Sequence, residues 1–223
     1  MAVSMSRRRV LTTAAIAGAG AAFLPAGRAG AAPSTWPHAR SANGWPILKQ
    51  ATWHPIEGSD QHVQLADGGP AAILTYVARR LHYELDQLRP GDVVGIPASR
   101  TVAEAYESNA LSGTAITFRA RAYPLGVSGG FYPAELVVIR DILAELDGVV
   151  TWGGDLPRPK ESHFQIAHGH GHPAIRQAAG RVLGTPGAHP AGPRSDGTLS
   201  AGSIDAHEPG RLARADAYTR RNR

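Results

Sequence analysis

The sequence predicts an α+β domain in which a small antiparallel sheet is flanked by helices. Leu74, Val77, Leu81, Leu85 and Leu88 recur at three- and four-residue spacing after Pro70. Leu136, Ile139, Leu143 and Leu146 do the same after Pro133, so each run has the period of a helix with one buried stripe. Segments 93–96, 115–118, 149–152 and 163–166 are short and apolar or alternating, which reads as strands.

The chain has 223 residues and 43% hydrophobic content, which suits one domain able to bury its core without cross-links. It contains no cysteine. Disulfides, thiolate metal sites and cysteine nucleophiles are thereby excluded, and any metal would need His, Asp or Glu ligands. The formal charge of +5 is concentrated in Arg7, Arg8 and Arg9 and in residues 211–223. No interleaving of basic and aromatic residues marks a nucleic-acid module in the body of the chain. Mild basicity fits a protein that faces an anionic cell wall.

Taken in order, Ser6-Arg7-Arg8-Arg9-Val10-Leu11 has the twin-arginine form, and an apolar run at 14–24 and Ala29-Gly30-Ala31 follow it. Residues 1–31 read as a cleaved export signal, too short and too rich in Gly and Ala for a stable membrane span. Contact with the membrane is expected only during export, and the mature chain is secreted. Residues 32–69, with Trp36, Trp45 and Trp53, read as an extended N-terminal wrap whose aromatics bury area against the domain. His54, His62, Glu57, Asp60 and Asp67 in that wrap read as solvated loop residues.

Residues 70–88 form the first helix, with Pro70 in its first turn. Arg89-Pro90-Gly91-Asp92 breaks it before the strand at 93–96. In the strand at 115–118, Ala115 and Thr117 share one face and Ile116 and Phe118 the other. A turn-rich loop with Tyr123-Pro124-Leu125-Gly126 and Ser128-Gly129-Gly130 leads to the helix at 133–146, which Asp147-Gly148 ends. In the strand at 163–166, His163 and Gln165 share a face. His168, His170 and His172 alternate with glycine, and a short helix at 174–183 is expected to dock through Ile175, Val182 and Leu183. After Gly184 the composition shifts to Gly, Pro, Ser, Ala and Arg, so 184–223 reads as a basic, disordered tail with at most a frayed helix at 211–218.

Ser108, Gly113 and Ala115, followed by Trp152-Gly153-Gly154-Asp155 and His163-Phe164-Gln165-Ile166, resemble the M15 family of zinc D-alanyl-D-alanine peptidases. That family carries S-x-H-x-x-G-x-A-x-D, then W-G-G-D, then an acidic-x-x-H-F-E/Q-I strand. The resemblance implies a Hedgehog/DD-peptidase-like fold, a zinc-bound water that attacks a peptide carbonyl, and a carboxylate base. In this chain Ala110 stands at the first ligand position and Thr117 at the aspartate, leaving His163 as the one matching ligand. Lys160 stands at the base position, with Glu161 displaced by one. The resemblance therefore implies an M15-like pocket of Ser108, Ala110, Thr117, Asp155 and His163, with Glu161 the remaining carboxylate and no cofactor. The expected function is catalytically impaired, with a groove for peptidoglycan stem peptides or a cell-wall partner. The alternative is an active zinc peptidase that recruits His168, His170 or His172 as replacement ligands. A further alternative is an unrelated secreted binding protein.

Overall fold

In the computed structural model, which describes residues 32–184 and 209–221, the chain opens with β1 (Ser34–Thr35), the hairpin strands β2 (Thr52–Pro55) and β3 (His62–Leu65), and helix α1 (Gly69–Glu84). Next come β4 (Val93–Val94), β5 (Thr101–Val102), a 3-10 turn at Ala105–Glu107, the single-turn α2 (Ser108–Leu111) and β6 (Ala115–Phe118). Helix α3 (Pro133–Glu145), β7 (Val150–Trp152), a 3-10 turn at Gly153–Asp155 and β8 (His163–Ile166) follow. Helices α4 (Pro173–Val182) and α5 (Pro209–Arg221) complete the described residues. The export-signal motif lies outside them. None of the described helices is long and apolar enough to cross a membrane.

Alternation dictates how the sheet divides polar from apolar. Strands β4, β6, β8 and β7 lie side by side in that order, all antiparallel. Ile116 faces Phe164, Trp152 faces Phe164 and Val150 faces Ile166 across the ladders. These side chains join Ile73, Leu74, Val77 and Leu81 of α1 and Ile139, Ile142 and Leu143 of α3 in one buried cluster. The opposite parity, Ala115, Thr117, His163 and Gln165, is left for the other face. The architecture is α+β.

Several expectations need correction. The 32–69 segment is not only a wrap: β2 and β3 pair over four residues, and Ile56, Val63 and Leu65 enter the core. Trp53 lies on the outer side of that hairpin and is 61% exposed, whereas Trp45 is buried as expected. Helix α1 ends at Glu84 rather than near 88, because the chain turns to let His82 Nδ1 accept the Leu88 N–H at 3.0 Å. In α4, Ile175, Ala178 and Ala179 are buried while Leu183 is 69% exposed.

The largest correction is at the C-terminus. Residues 209–221 form a helix packed on α3, with Arg211, Ala215 and Tyr218 buried at i, i+4 and i+7. The Arg211 guanidinium lies 2.6 Å from Glu84 and 3.3 Å from Asp141. Arg214 reaches Asp141 at 2.8 Å, and Arg80 reaches the same carboxylate at 2.9 Å. Charge pairing thus buries a stripe that hydrophobicity alone would leave in solvent. The described residues belong to one compact unit spanning Ala31–Arg223.

Candidate functional site

Strand register builds the site. Thr117 stands directly opposite His163, and Ala115 opposite Gln165, so their side chains share the face turned away from the core. Helix α2 packs against β6 and β8. Its Asn109 donates from Nδ2 to Gln165 Oε1 at 2.7 Å, and Ala110 follows in the same turn. Thr117 and His163 therefore face each other, and α2, which carries Ala110, packs beside their strands. Gly113 holds the turn between α2 and β6 at φ 67°, and a Cβ there would fall 2.4 Å from the Ala66 nitrogen, so only glycine fits.

His163 is 1% exposed. Its Nε2 lies 2.9 Å from Gln165 Oε1, the oxygen that also accepts from Asn109. With Gln165 Oε1 as acceptor, Nε2 is the donor, and the lone pair of the neutral ring is then on Nδ1. Burial drives the imidazole pKa down to about 4; the Lys160 cation pushes the same way, and the Gln165 hydrogen bond opposes both. His163 is accordingly neutral near pH 7. The Tyr106 ring covers it, with centroids 5.2 Å apart.

Lys160 turns from the expected base position to an ion pair, its Nζ 2.6 Å from Glu107 Oε1. Glu107 Oε2 accepts the N–H groups of Ala103 and Glu104 at 2.7 and 3.1 Å. Burial works to raise the Glu107 carboxyl, but the Lys160 ammonium and these two N–H groups outweigh it and hold it below its ordinary range. Gly153 lets this segment approach: a Cβ there would lie 2.2 Å from the Lys160 carbonyl and 2.9 Å from His163 Cβ. The first glycine of Trp152-Gly153-Gly154-Asp155 is thus a contact requirement of the site.

The other expected pocket residues serve elsewhere. Ser108 Oγ donates to the Ala105 carbonyl at 2.6 Å and accepts the Ala42 N–H at 2.8 Å, fastening the N-terminal segment. Glu161 does not reach His163 as a base; its carboxylate accepts the Gly129 and Gly130 N–H groups at 2.7 and 2.8 Å and anchors the loop before α3. Asp155 forms a two-pronged ion pair with Arg140 of α3 at 2.5 and 2.6 Å, so it is a link between turn and helix. The histidines proposed as replacement ligands are also engaged apart from His163. The His168 and His172 rings stack at 4.0 Å, and burial followed by the neighbouring His172 lowers the His168 pKa. His172 Nδ1 accepts the Ala174 N–H to cap α4, and His170 packs edge-on against Trp45 at 4.7 Å. Ile166 already lies about 10 Å along the strand from His163, at ~3.3 Å per residue.

A catalytic zinc takes about three protein ligands and an open position, and the residues present do not fit it. Positions 110 and 117 offer a methyl and a hydroxyl, and His163 Nε2 is committed to Gln165. Among the described residues no three His, Asp or Glu side chains are grouped to hold an ion. What the patch offers is hydrogen bonding, through Thr117, Gln165, Asn109 and the Lys160–Glu107 pair. Tyr106, Glu107 and Asn109 are not motif residues of the resemblance and are placed at the site by the fold. Their signal was adjacency to Ser108 and Ala110 in one turn, since residues flanking a motif share its neighbours.

Comparisons of the chain with protein-family models, with curated proteins and with solved structures find no match. Fold and site define an α+β domain whose sheet carries a buried, neutral histidine inside a closed hydrogen-bonding patch.

Proposed function

We propose that this chain is an exported M15-like protein of Hedgehog/DD-peptidase type that binds peptidoglycan stem peptides, or a cell-wall partner, without metallopeptidase activity. One observation carries the reading: the imidazole, the ammonium and the carboxylate left at the resemblance-derived site are each engaged by another group. His163 is held by Gln165 opposite Thr117, and Lys160 is held by Glu107. A protonated lysine cannot take a proton from water, and Glu161, the nearest remaining carboxylate in sequence, anchors a loop. Conversion to binding needs no further group, because hydrogen-bond donors and acceptors of peptide-recognising type remain. The motif spacing of Ser108, Gly113 and Ala115 and the Trp152-Gly153-Gly154-Asp155 turn support the family assignment.

The test is retention of the purified mature chain on insoluble peptidoglycan, with release of D-alanine and bound zinc measured on the same sample. Retention without D-alanine release is the expected result. Stoichiometric zinc that disappears in His163→Ala would overturn the inactive half of the proposal, and failure to be retained would overturn the binding half.

A further inference from the structure

A cleft of about 520 Å³ opens between the 45–52 segment and the end of β3, and residues of the His163 patch do not line it. Its size suits a small ligand. Pro46 and Leu48 give it apolar surface beside the edge of the largely buried Trp45, polar groups such as Gln50 and Ser112 share the lining, and Asp67 is its one carboxylate. That surface is fixed from behind: Trp45 Nε1 donates to the His168 carbonyl at 2.8 Å, and the indole carries the His170 ring on its edge.

Asp67 is also oriented. Its Oδ2 accepts from Thr52 Oγ1 at 3.1 Å, and its Oδ1 lies 3.2 Å from His54 Nε2. The carboxylate is nonetheless 73% exposed, and no lysine or arginine pairs with it among the described residues. A carboxylate with no lysine or arginine partner beside apolar surface favours a cation on an apolar stem over an anion.

We infer that this cleft is a binding site for a primary amine carried on an aliphatic chain, such as the side chain of a lysine or another diamino acid. The ammonium sits against Asp67, and the methylenes lie along Pro46, Leu48 and Trp45. The site stands independently of the peptide-binding role proposed for the His163 patch, since the two share no lining residue.

The full chain is titrated with hexylamine, and separately with hexanoate, while backbone amide shifts are followed by NMR. Hexylamine is expected to shift the amides of Ala51, Thr52, Ala66 and Asp67 in a saturable way that weakens with added salt, and hexanoate is expected to leave them in place. Asp67→Asn, at an exposed position that leaves the fold intact, is expected to weaken hexylamine at least about five-fold, and Asp67→Glu to recover part of the loss. Equal response to amine and carboxylate, no response to hexylamine, or an unchanged affinity in Asp67→Asn would each overturn the assignment. Shifts confined to the His163 strand would overturn it as well, because they would put the amine at the other patch.

Discussion

Acid should destabilise this protein through His163 in a window that can be calculated. The imidazole falls from an ordinary 6.5 in the unfolded chain to about 4 when buried. The unfolded state therefore binds more protons between those values, and stability rises with pH across them. The contribution is complete above about pH 6.5, declines as pH falls, and is exhausted below about pH 4. The full difference is on the order of 3 kcal/mol, and about 2 kcal/mol of it is already lost at about pH 5. Glu107, whose carboxyl is also depressed, adds a loss in the same direction only in its own, more acidic range. Urea unfolding at about pH 8 and about pH 5, on wild type and His163→Gln, isolates the histidine. The wild type should lose about 2 kcal/mol more than the variant over that interval. Equal losses in both proteins would show that His163 is not a buried neutral group and would remove the basis for calling the site closed.

Three further outcomes are expected. Ala110→His with Thr117→Asp should confer zinc binding, read by metal analysis after dialysis and abolished by adding His163→Ala; a folded double variant without zinc would discredit the alignment of these positions. Arg211→Ala leaves Glu84 and Asp141 with Arg80 and Arg214 as their remaining cations, and should cost about 2 kcal/mol in urea unfolding; a change under about 0.5 kcal/mol would mean that α5 does not rest on this pairing. Gly113→Ala forces a side chain into a positive-φ turn against the Ala66 backbone, so its thermal midpoint should fall by several degrees, by roughly 1–3 kcal/mol of strain.

Much of the fold was legible because two periods dominate it. The leucine stripes after Pro70 and Pro133 and the alternation of Ala115–Phe118 and His163–Ile166 are local patterns, and the structure keeps them. The hairpin of β2 and β3 was missed because each strand has four residues and the 52–55 stretch shows little alternation, although Val63 and Leu65 carried a weak period-two signal. Helix α5 was legible only as a frayed helix at 211–218 because its buried stripe includes an arginine. Arg211 becomes a core residue only when Glu84 and Asp141 are brought to it by two other helices.

By itself the sequence determined which residue types stand at the site: Ala110, Thr117 and Lys160, a methyl, a hydroxyl and an ammonium that no folding can turn into ligands or a base. It also determined that Ala115 shares a face of β6 with Thr117, and His163 a face of β8 with Gln165, since side chains alternate along any extended strand. Only the tertiary structure decided their partners. That Lys160 closes on Glu107, that Asn109 joins His163 at Gln165 and that Glu161 and Asp155 serve other contacts follow from pairings between segments far apart in the chain. Such contacts depend on register and packing, which no local pattern encodes.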